Sequence, residues 1–530
     1  MKKIITILLI IFISLICSIK EINAEELPKI YFTGNISNMD TKTDERKIKL
    51  TYKSKDLTFD SYALLKIQGS SSLSYEKKNY NIKLYQDENY KVKKKVNIGF
   101  GKENKYCLKA NWIDFTHSRN IVTARITSSI QEKYNLFTNT PNNGLIDGFP
   151  IEIYINNDYL GLYTINIPKD EWMFNMDKNN PNHIVLSATS YTSSAIFNNS
   201  IRKDDWEIEI GPNNDETLNK FNRVIEFIMN STDKEFRENF EDYLNLDATL
   251  NYYVMLNTAQ LFDNTAKNML MVTYDGIIWY PSLYDLDTSW GSEWNGLSLF
   301  NYNWHVINHN NNSLLWNKFE HNFKNEIANR YFELRKDILT KENILNEFNT
   351  FINSIPKETY QKEQAKWNNI PGYDINQIEE FLNIRLPLID EYMYILYTTI
   401  PTITPKYSTT KYTLFPVKVT LIPNRNDITI YKNNKIIKNN SYTFTKNGEY
   451  IFEYKDHKGN TATINIKIDF IIPSKIFISI IIIITFLSLL SFHLIKKNKT
   501  NKSTSNPQKG KDKKNKKNTS KKKTNYKKKK

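Results

Sequence analysis

The sequence predicts an α+β body of two parts, followed by a small β-domain and one transmembrane helix. Segments with alternating apolar residues, rich in Tyr, Thr, Lys and Ile, dominate the chain from Glu25 to about residue 167. After about residue 215 the apolar residues recur at helical spacing, and an uncharged apolar run lies near the end of the chain. Alternation is typical of half-buried strands, and a period of 3.6 residues is typical of helices.

Composition and charge narrow the class of protein. With 530 residues, 40% of them hydrophobic and 24% charged, the chain is long enough for two or three globular domains. The net charge is +15, but 17 lysines and a single acid lie in residues 496–530, so the rest is close to neutral. We therefore expect no nucleic-acid partner. Two cysteines, Cys17 and Cys107, exclude a disulfide framework, and Cys107 is predicted to be a small buried residue.

The two ends of the chain carry targeting patterns. Residues 1–24 contain two lysines, then an apolar run, and end at the small residue Ala24. This order is typical of a secretory signal peptide. Residues 476–495 are uncharged and long enough to span a bilayer, and the Lys-rich segment 496–530 follows at once. Because positive flanks stay in the cytoplasm, the sequence predicts a single-pass membrane protein with an extracytoplasmic body and a cytoplasmic tail.

The body is predicted to cover residues 25–400. Its β-rich part ends at about residue 167 with the hairpin "FPIEIYINNDYLGLYTINI", in which "NND" supplies the turn. Its helical part begins after about residue 215 with "DETLNKFNRVIEFIMN". Two parts of this kind leave a cleft between them, which is a common place for a ligand site. Residues 401–469 follow a Pro/Thr linker and resemble a bacterial immunoglobulin-like β-domain through "GEYIFEYKDHKGN".

Asp263 and Asn268 are the first candidate site residues, in "LFDNTAKNML". An Asp followed five positions later by an Asn has the spacing of the catalytic loop of protein kinases. There the Asp accepts the proton of the attacking hydroxyl and the Asn holds a magnesium ion. Taken alone, the pair is a weak signal because Asn is abundant in this chain.

Asp285 and Asp287 strengthen this interpretation. The stretch "GIIWYPSLYDLD" reads as a strand leading to a turn, and residues two apart on a strand point to the same side. Two converging carboxylates can hold Mg²⁺, which in turn bridges nucleotide phosphates. Each acid alone fits a helix cap or a turn, but the four residues together in this order favour a metal-phosphate site.

A Gly-Ser turn precedes a basic strand in "LKIQGSSSLSYEKKNYNIKL". Backbone N–H groups and hydroxyls of such a turn can face an anion. The alternative is an ordinary hairpin with a solvated basic strand. The candidate phosphate-binding residues of this segment are Gly69, Ser70, Ser71, Lys77, Lys78 and Lys83.

Four blocks in this order make the chain resemble the spore coat protein CotH-like kinases. They are "IQGSSSLSYEKKNYNIKL", "CLKANWIDFTHSRNIVTARI", "YLGLYTINIPKDEW" and "LFDNTAKNMLMVTYDGIIWYPSLYDLDTSWG", within residues 29–394. The resemblance implies an atypical protein-kinase-like fold that binds ATP with Mg²⁺ or Mn²⁺ and phosphorylates protein Ser/Thr hydroxyls. The implied partner is a spore coat or cell-surface protein.

The resemblance also implies roles for individual residues. Asp263 matches the catalytic Asp, Asn268 a metal ligand, and Asp285 or Asp287 the second metal-binding acid. The Gly69–Ser71 turn would cover the phosphates.

Lys78 is the first choice among the lysines for a phosphate contact. Arg119 would either touch phosphate or pair with Asp114. The chain departs from the family pattern at Gln68, where many members have Arg, and at Asn166 and Ile167, where many have Glu.

The sequence therefore predicts a membrane-anchored, ATP-dependent protein serine/threonine kinase. One alternative is a surface adhesion or scaffold protein in which the kinase-like body only binds. Another is a metal-dependent hydrolase that uses the same acids with a water nucleophile.

Overall fold

The structure is a computed structural model that describes residues 26–69, 71–306, 312–368, 370–396, 401–456 and 459–500. The chain divides into two compact units at about residue 400. The predicted signal peptide, residues 1–24, and the tail after Thr500 lie outside the described residues.

Seven strands of the first unit close into a barrel in the order β1-β2-β3-β4-β7-β9-β8. Neighbours are antiparallel except β1 and β8, which run parallel. Every second side chain of a strand points into the barrel and fills it. In β3 these inward residues are Ala63, Leu65 and Ile67. The strands of this part are β1 (Lys29–Thr33), β2 (Glu45–Lys53), β3 (Thr58–Gln68), β4 (Asn79–Tyr85), β5 (Val96–Asn97), β6 (Lys102–Glu103), β7 (Lys105–Lys109), β8 (Gly148–Ile155) and β9 (Asp158–Asn166).

The predicted β8–β9 hairpin is confirmed. Its turn residues Asn156 and Asn157 both have positive φ, 49° and 71°, the conformation that a two-residue hairpin turn requires.

The helical part packs around a second sheet with the order β11-β10-β12-β13, all antiparallel. These strands are β10 (Ile184–Ala188), β11 (Trp206–Ile210), β12 (Met269–Thr273) and β13 (Tyr280–Leu283). The helices of the first unit are α1 (Arg119–Lys133), α2 (Asp215–Asn230), α3 (Asp233–Asn239), α4 (Leu246–Thr258), α5 (Leu314–Asn322), α6 (Lys324–Leu334), α7 (Lys341–Asn353), α8 (Lys357–Lys366) and α9 (Ile375–Leu396).

Local signals explain where several helices lie. The side chain of Asn214 accepts the Thr217 N–H and starts α2, and Thr232 with Glu235 forms a capping box at the start of α3. The helix α4 is buried from Ala248 to Thr258 and forms the centre of this part. The helix predicted from about residue 215 is confirmed as α2, and the helical spacing after it is confirmed by α9. The chain breaks at Phe323 between α5 and α6.

The predicted fold class needs correction. The body is a mixed α+β structure, but its β-rich part is a closed seven-stranded barrel and not simply the β-rich lobe of a kinase-like body. The closure depends on the parallel pairing of β1 with β8, in which Lys29 is the partner of Glu152. Local alternation cannot predict this pairing because its two strands are far apart in sequence.

The second unit contains two antiparallel sheets around a common apolar core. The strand orders are β14-β15-β18 and β17-β16-β19-β20. The immunoglobulin-like assignment of residues 401–469 stays a prediction. The strands are β14 (Ile403–Tyr407), β15 (Val417–Pro423), β16 (Thr429–Lys432), β17 (Lys435–Ile436), β18 (Ser441–Phe444), β19 (Gly448–Lys455) and β20 (Thr461–Ile468).

The predicted transmembrane helix over residues 476–495 is corrected by the structure. The helix α10 (Ser474–Thr500) covers this segment, but no helix among the described residues is both long enough and apolar enough to cross a membrane. The predicted single-pass localisation is therefore also wrong.

Candidate active site

Asp285 and Asp287 follow the end of β13. The strand stops at Leu283, so the alternation of a strand does not orient the two acids as the sequence analysis assumed. Asp285 adopts a left-handed conformation with a φ of 57°, which Asp tolerates better than most residues. The chain therefore turns sharply at the first of the two acids.

The Lys109 ammonium forms an ion pair with the Asp285 carboxylate at 3.2 Å. Lys109 is the last residue of β7 and is only 9% exposed, whereas about a third of the Asp285 side chain reaches solvent. Burial is the largest single influence on each partner and opposes its charged form. The attraction between the two groups, together with other nearby charges, outweighs burial, so the pKa of Lys109 is raised and the pKa of Asp285 is lowered. The pair therefore joins the barrel to the acidic turn in its charged form.

Asp287 has a different environment. Within the described part of the chain its carboxylate has no hydrogen bond and no ion pair. Burial, followed by the negative charge of Asp285, raises the pKa of Asp287 to about 8. A divalent cation at this point would relieve the repulsion between the two acids.

Asp263 lies in a short 3₁₀ turn, Asp263–Thr265, soon after the end of α4. The Tyr191 hydroxyl donates a hydrogen bond to Asp263 Oδ1 at 2.8 Å. Burial raises the pKa of Asp263, and the charge of Asp285 adds to this effect while Lys267 opposes it. Asp263 is therefore close enough to Asp285 and Lys267 to interact electrostatically with both.

Hydrogen bonds hold the Asp263 turn in place. The Asn264 side chain donates to the backbone oxygen of Tyr284 at 2.8 Å, which links the turn to the residue before Asp285. The Tyr252 hydroxyl donates to the Asn264 carbonyl at 2.6 Å, and the Trp316 indole donates to the Thr265 carbonyl at 2.8 Å. Buried aromatic residues thus fix the position of Asp263.

Asn268 directly precedes β12 and has a φ of 66°. Its backbone N–H donates to Ala188 O at 3.1 Å. Among the described residues no hydrogen bond engages its side-chain amide, which is free for a ligand.

The Gly-Ser turn approaches the acids from the barrel. Gly69 has a φ of 121°, and a Cβ at this position would lie 1.8 Å from Ser72 Oγ, so the turn requires glycine. Gln68 Nε2 donates to the Tyr284 hydroxyl at 3.3 Å. Burial raises the pKa of Tyr75, and the charges of Asp287 and Asp285 raise it further, which places this tyrosine near both acids. Ser70 lies outside the described residues, and Ser71 begins a short 3₁₀ turn.

Three of the other predicted phosphate contacts have protein partners. The Lys78 ammonium donates to Leu73 O at 2.6 Å. Lys77 forms a buried ion pair with Glu363 of α8 at 2.7 Å. Arg119 is fully buried and pairs with Asp114 at 2.7 Å, the second of its two predicted roles.

A cavity of about 220 Å³ lies beside Tyr284, between the outer face of the barrel and the sheet of the helical part. Lys169, which lines it, lies 2.5 Å from Glu209 Oε1 and 4.7 Å from the Tyr284 ring centre. Cys107 also lines the cavity and is buried, as predicted. Burial raises the pKa of its thiol to about 12, so the thiol is neutral at pH 7. Further lining residues are Gln68, Asn81 and Lys83.

The sequence profile of the CotH kinase protein family matches residues 65–389, which is more than half of the chain. The chain belongs to the CotH kinase protein family. The matched region contains all of the candidate site residues described above. No individual curated protein matches the chain.

Three lysines near the acids of this CotH domain were missed by the sequence analysis. Lys109 pairs with Asp285, Lys267 interacts with Asp263 and Asp285, and Lys169 contacts the ring of Tyr284. A lysine inside the apolar strand "KYCLKANW" was an available signal for Lys109. Tyr191 was missed as well, because nothing near it in sequence connects it to Asp263.

The candidate site of this CotH domain offers side-chain oxygens, the donor type that a magnesium ion prefers. Within the described ranges, no group of three or more His, Cys, Asp or Glu residues is arranged to hold a metal. Mg²⁺ commonly uses only one or two carboxylates together with water and substrate phosphates. Asp285, the unpartnered Asp287 and the free amide of Asn268 are the residues that could supply such ligands.

Proposed function

We propose that the chain is an ATP- and Mg²⁺-dependent protein kinase that transfers the γ-phosphate to Ser or Thr hydroxyls of a protein. The family membership supports a kinase-related role. The observation that carries the proposal is the assembly of Asp263, the Asp285–Asp287 pair and Lys109 from distant parts of the chain. These residues supply a base, oxygen ligands for a metal and a balancing positive charge.

Each residue has a separate task in this proposal. Asp263 accepts the proton of the acceptor hydroxyl, and its raised pKa makes it a better base than an exposed Asp. Asn268, Asp285 and Asp287 would hold Mg²⁺, which when bound neutralises charge on the phosphates. Lys109 keeps Asp285 ionised and oriented, and Lys267 adds positive charge beside the base.

The nucleotide base would lie in the cavity beside Tyr284. Its volume of about 220 Å³ suits a base, and its lining offers amide groups from Gln68 and Asn81. The phosphates would then extend toward Gly69 and the acids, because Gln68 directly precedes the glycine and contacts Tyr284. The buried Arg119 and Lys77 take no part in this arrangement.

The test is incubation of the full chain with labelled ATP and Mg²⁺ or Mn²⁺, together with a mixture of spore coat and cell-surface proteins. Mass spectrometry should find phosphoserine or phosphothreonine on the added proteins. Asp263→Asn should remove this transfer, whereas Lys66→Met, a change at an exposed lysine of β3, should keep it. Absence of transfer under all conditions would favour a binding or scaffold role.

A further inference from the structure

Tyr191 occupies a position that a phosphoryl acceptor would need. Its hydroxyl donates to Asp263 Oδ1 at 2.8 Å, the hydrogen bond that an acceptor hydroxyl makes with a catalytic base before transfer. The charge of Asp285 also reaches the Tyr191 phenol. The hydroxyl therefore lies near both the base and the acid that would bind the metal.

The rest of the Tyr191 side chain does not belong to the core. The residue is 47% exposed, and the Lys267 ammonium lies 5.7 Å from the centre of its ring. A half-exposed ring contributes little apolar burial to stability. Its most specific contact is the hydrogen bond to Asp263.

The loop that carries Tyr191 is anchored. Ser190 Oγ donates to Asp205 Oδ1 at 2.8 Å, and the Ser194 N–H and hydroxyl donate to Asp205 Oδ2 at 3.0 and 2.7 Å. An anchored loop holds the phenol at the base instead of leaving it to diffuse. Such positioning makes an intramolecular reaction much faster than one between separate molecules.

We infer that Tyr191 is an intramolecular phosphoryl acceptor, a modification site on this chain. In the reaction Asp263 takes the phenolic proton and the Tyr191 oxygen forms a bond to the γ-phosphorus of a nucleoside triphosphate. The bond from that phosphorus to the β,γ-bridging oxygen breaks, which releases the nucleoside diphosphate. The inference rests on the proposed function because it uses the same base and the same donor.

The modification would change the site. A phosphorylated tyrosine carries a charge of about −1.5 to −2 at pH 7. Repulsion from Asp263 would drive it away from the base, so self-modification would open the acceptor position for a separate protein.

The test uses the full chain with labelled ATP and Mg²⁺, and dephosphorylated casein as a second acceptor in parallel. Trypsin releases residues 179–202 as one peptide, which contains Tyr191 and several Ser and Thr residues. Fragmentation must therefore assign the phosphate to one residue. We expect it on Tyr191, formed at a rate constant that does not depend on protein concentration.

Three variants separate the outcomes. Tyr191→Phe and Asp263→Asn should both lose the phosphate on this peptide, and Tyr412→Phe, at a tyrosine that is 79% exposed, should keep it. Phosphate on casein but none on Tyr191, or phosphate on Ser190 or Ser193 instead, would overturn the inference and leave the proposed function standing. Transfer to neither acceptor would overturn both.

Discussion

The Lys109 ammonium lies 3.2 Å from the Asp285 carboxylate and connects the last residue of β7 to the turn after β13. The barrel and the helical part thus meet through opposite charges at the candidate active site. Because Asp285 also raises the pKa of Asp287 and of Asp263, one ion pair influences every acid proposed to act in the reaction.

Lys109→Met should reduce phosphoryl transfer by about 100- to 1,000-fold in kcat/KM, the range seen when a preorganised electrostatic group is removed. Without the ammonium, Asp285 loses the partner that keeps it ionised and oriented. Initial rates with labelled ATP would measure the effect. Lys66→Met is the matched control, since Lys66 forms only an exposed pair with Glu45 at 3.8 Å. Similar rates in the two variants would contradict a role for Lys109.

Lys77→Met should lower the free energy of unfolding by about 3–5 kcal/mol, because it leaves the buried Glu363 carboxylate without its positively charged partner. The two side chains are 0% and 2% exposed. The double variant Lys77→Met/Glu363→Leu should recover most of this loss, since both charges are then absent. Urea unfolding of the single and double variants measures the coupling. A small loss of stability with a large loss of nucleotide affinity would instead make Lys77 a phosphate contact.

The local sequence pattern predicted part of this structure and part of its site. Helical spacing was sufficient to predict α2 and α9, and the turn asparagines were sufficient to predict the β8–β9 hairpin. The closure of the barrel was not predictable, because the parallel pairing of β1 with β8 depends on segments that are distant along the chain.

Three of the four residues selected by their spacing, Asp263, Asp285 and Asp287, lie close enough in the structure to influence one another's pKa. Lys109 was missed because strand alternation shows only which face a lysine occupies, and what that face meets is decided by tertiary packing. Lys77 is the opposite case, a lysine that the sequence pattern assigned to the site although tertiary packing places it elsewhere. Its basic neighbourhood indicated a phosphate contact, but the structure buries it against a helix that comes 280 residues later.

Mg²⁺ with ATP should raise the melting temperature of the full chain, since a ligand that binds only the folded state stabilises it. Asp287→Asn and Asn268→Ala should each abolish most of the rise, because they remove proposed oxygen ligands. Differential scanning fluorimetry with and without EDTA measures the shift. The matched control is Asp60→Asn, at an exposed residue of β3 whose carboxylate accepts a hydrogen bond from the Thr51 hydroxyl. A full rise in both site variants would place the nucleotide elsewhere.

His117 should make the protein sensitive to acid. The residue is 2% exposed and its Nδ1 atom has no hydrogen-bond partner among the described residues. Burial, and then the nearby charge of Lys77, lower the pKa of His117 well below its usual value. Below pH about 6.5 the unfolded chain binds a proton that the folded protein excludes. The free energy of unfolding should therefore fall by up to about 1.4 kcal/mol per pH unit.

His117→Asn should remove this component of the pH dependence, because Asn does not titrate and tolerates the left-handed φ of 58° at this position. Urea unfolding at pH 7.5 and 5.5 compares the variant with the unmodified chain. His321→Asn, at a side chain that is 62% exposed, should keep the original dependence. Equal losses of stability in the His117 variant and the unmodified chain would show that other groups cause the acid sensitivity.

Asp263→Asn should reduce phosphoryl transfer by about 100- to 10,000-fold, the usual contribution of a positioned general base. The change keeps the size of the side chain and an acceptor for the Tyr191 hydroxyl, but it removes the basic charge. Because Asp263 acts on the acceptor hydroxyl and not on the nucleotide, the affinity for ATP with Mg²⁺ should change little. Loss of a metal ligand such as Asp287 should instead weaken nucleotide binding as well. Single-turnover rates together with calorimetric titration distinguish the two patterns, and undiminished transfer by Asp263→Asn would remove the proposed mechanism.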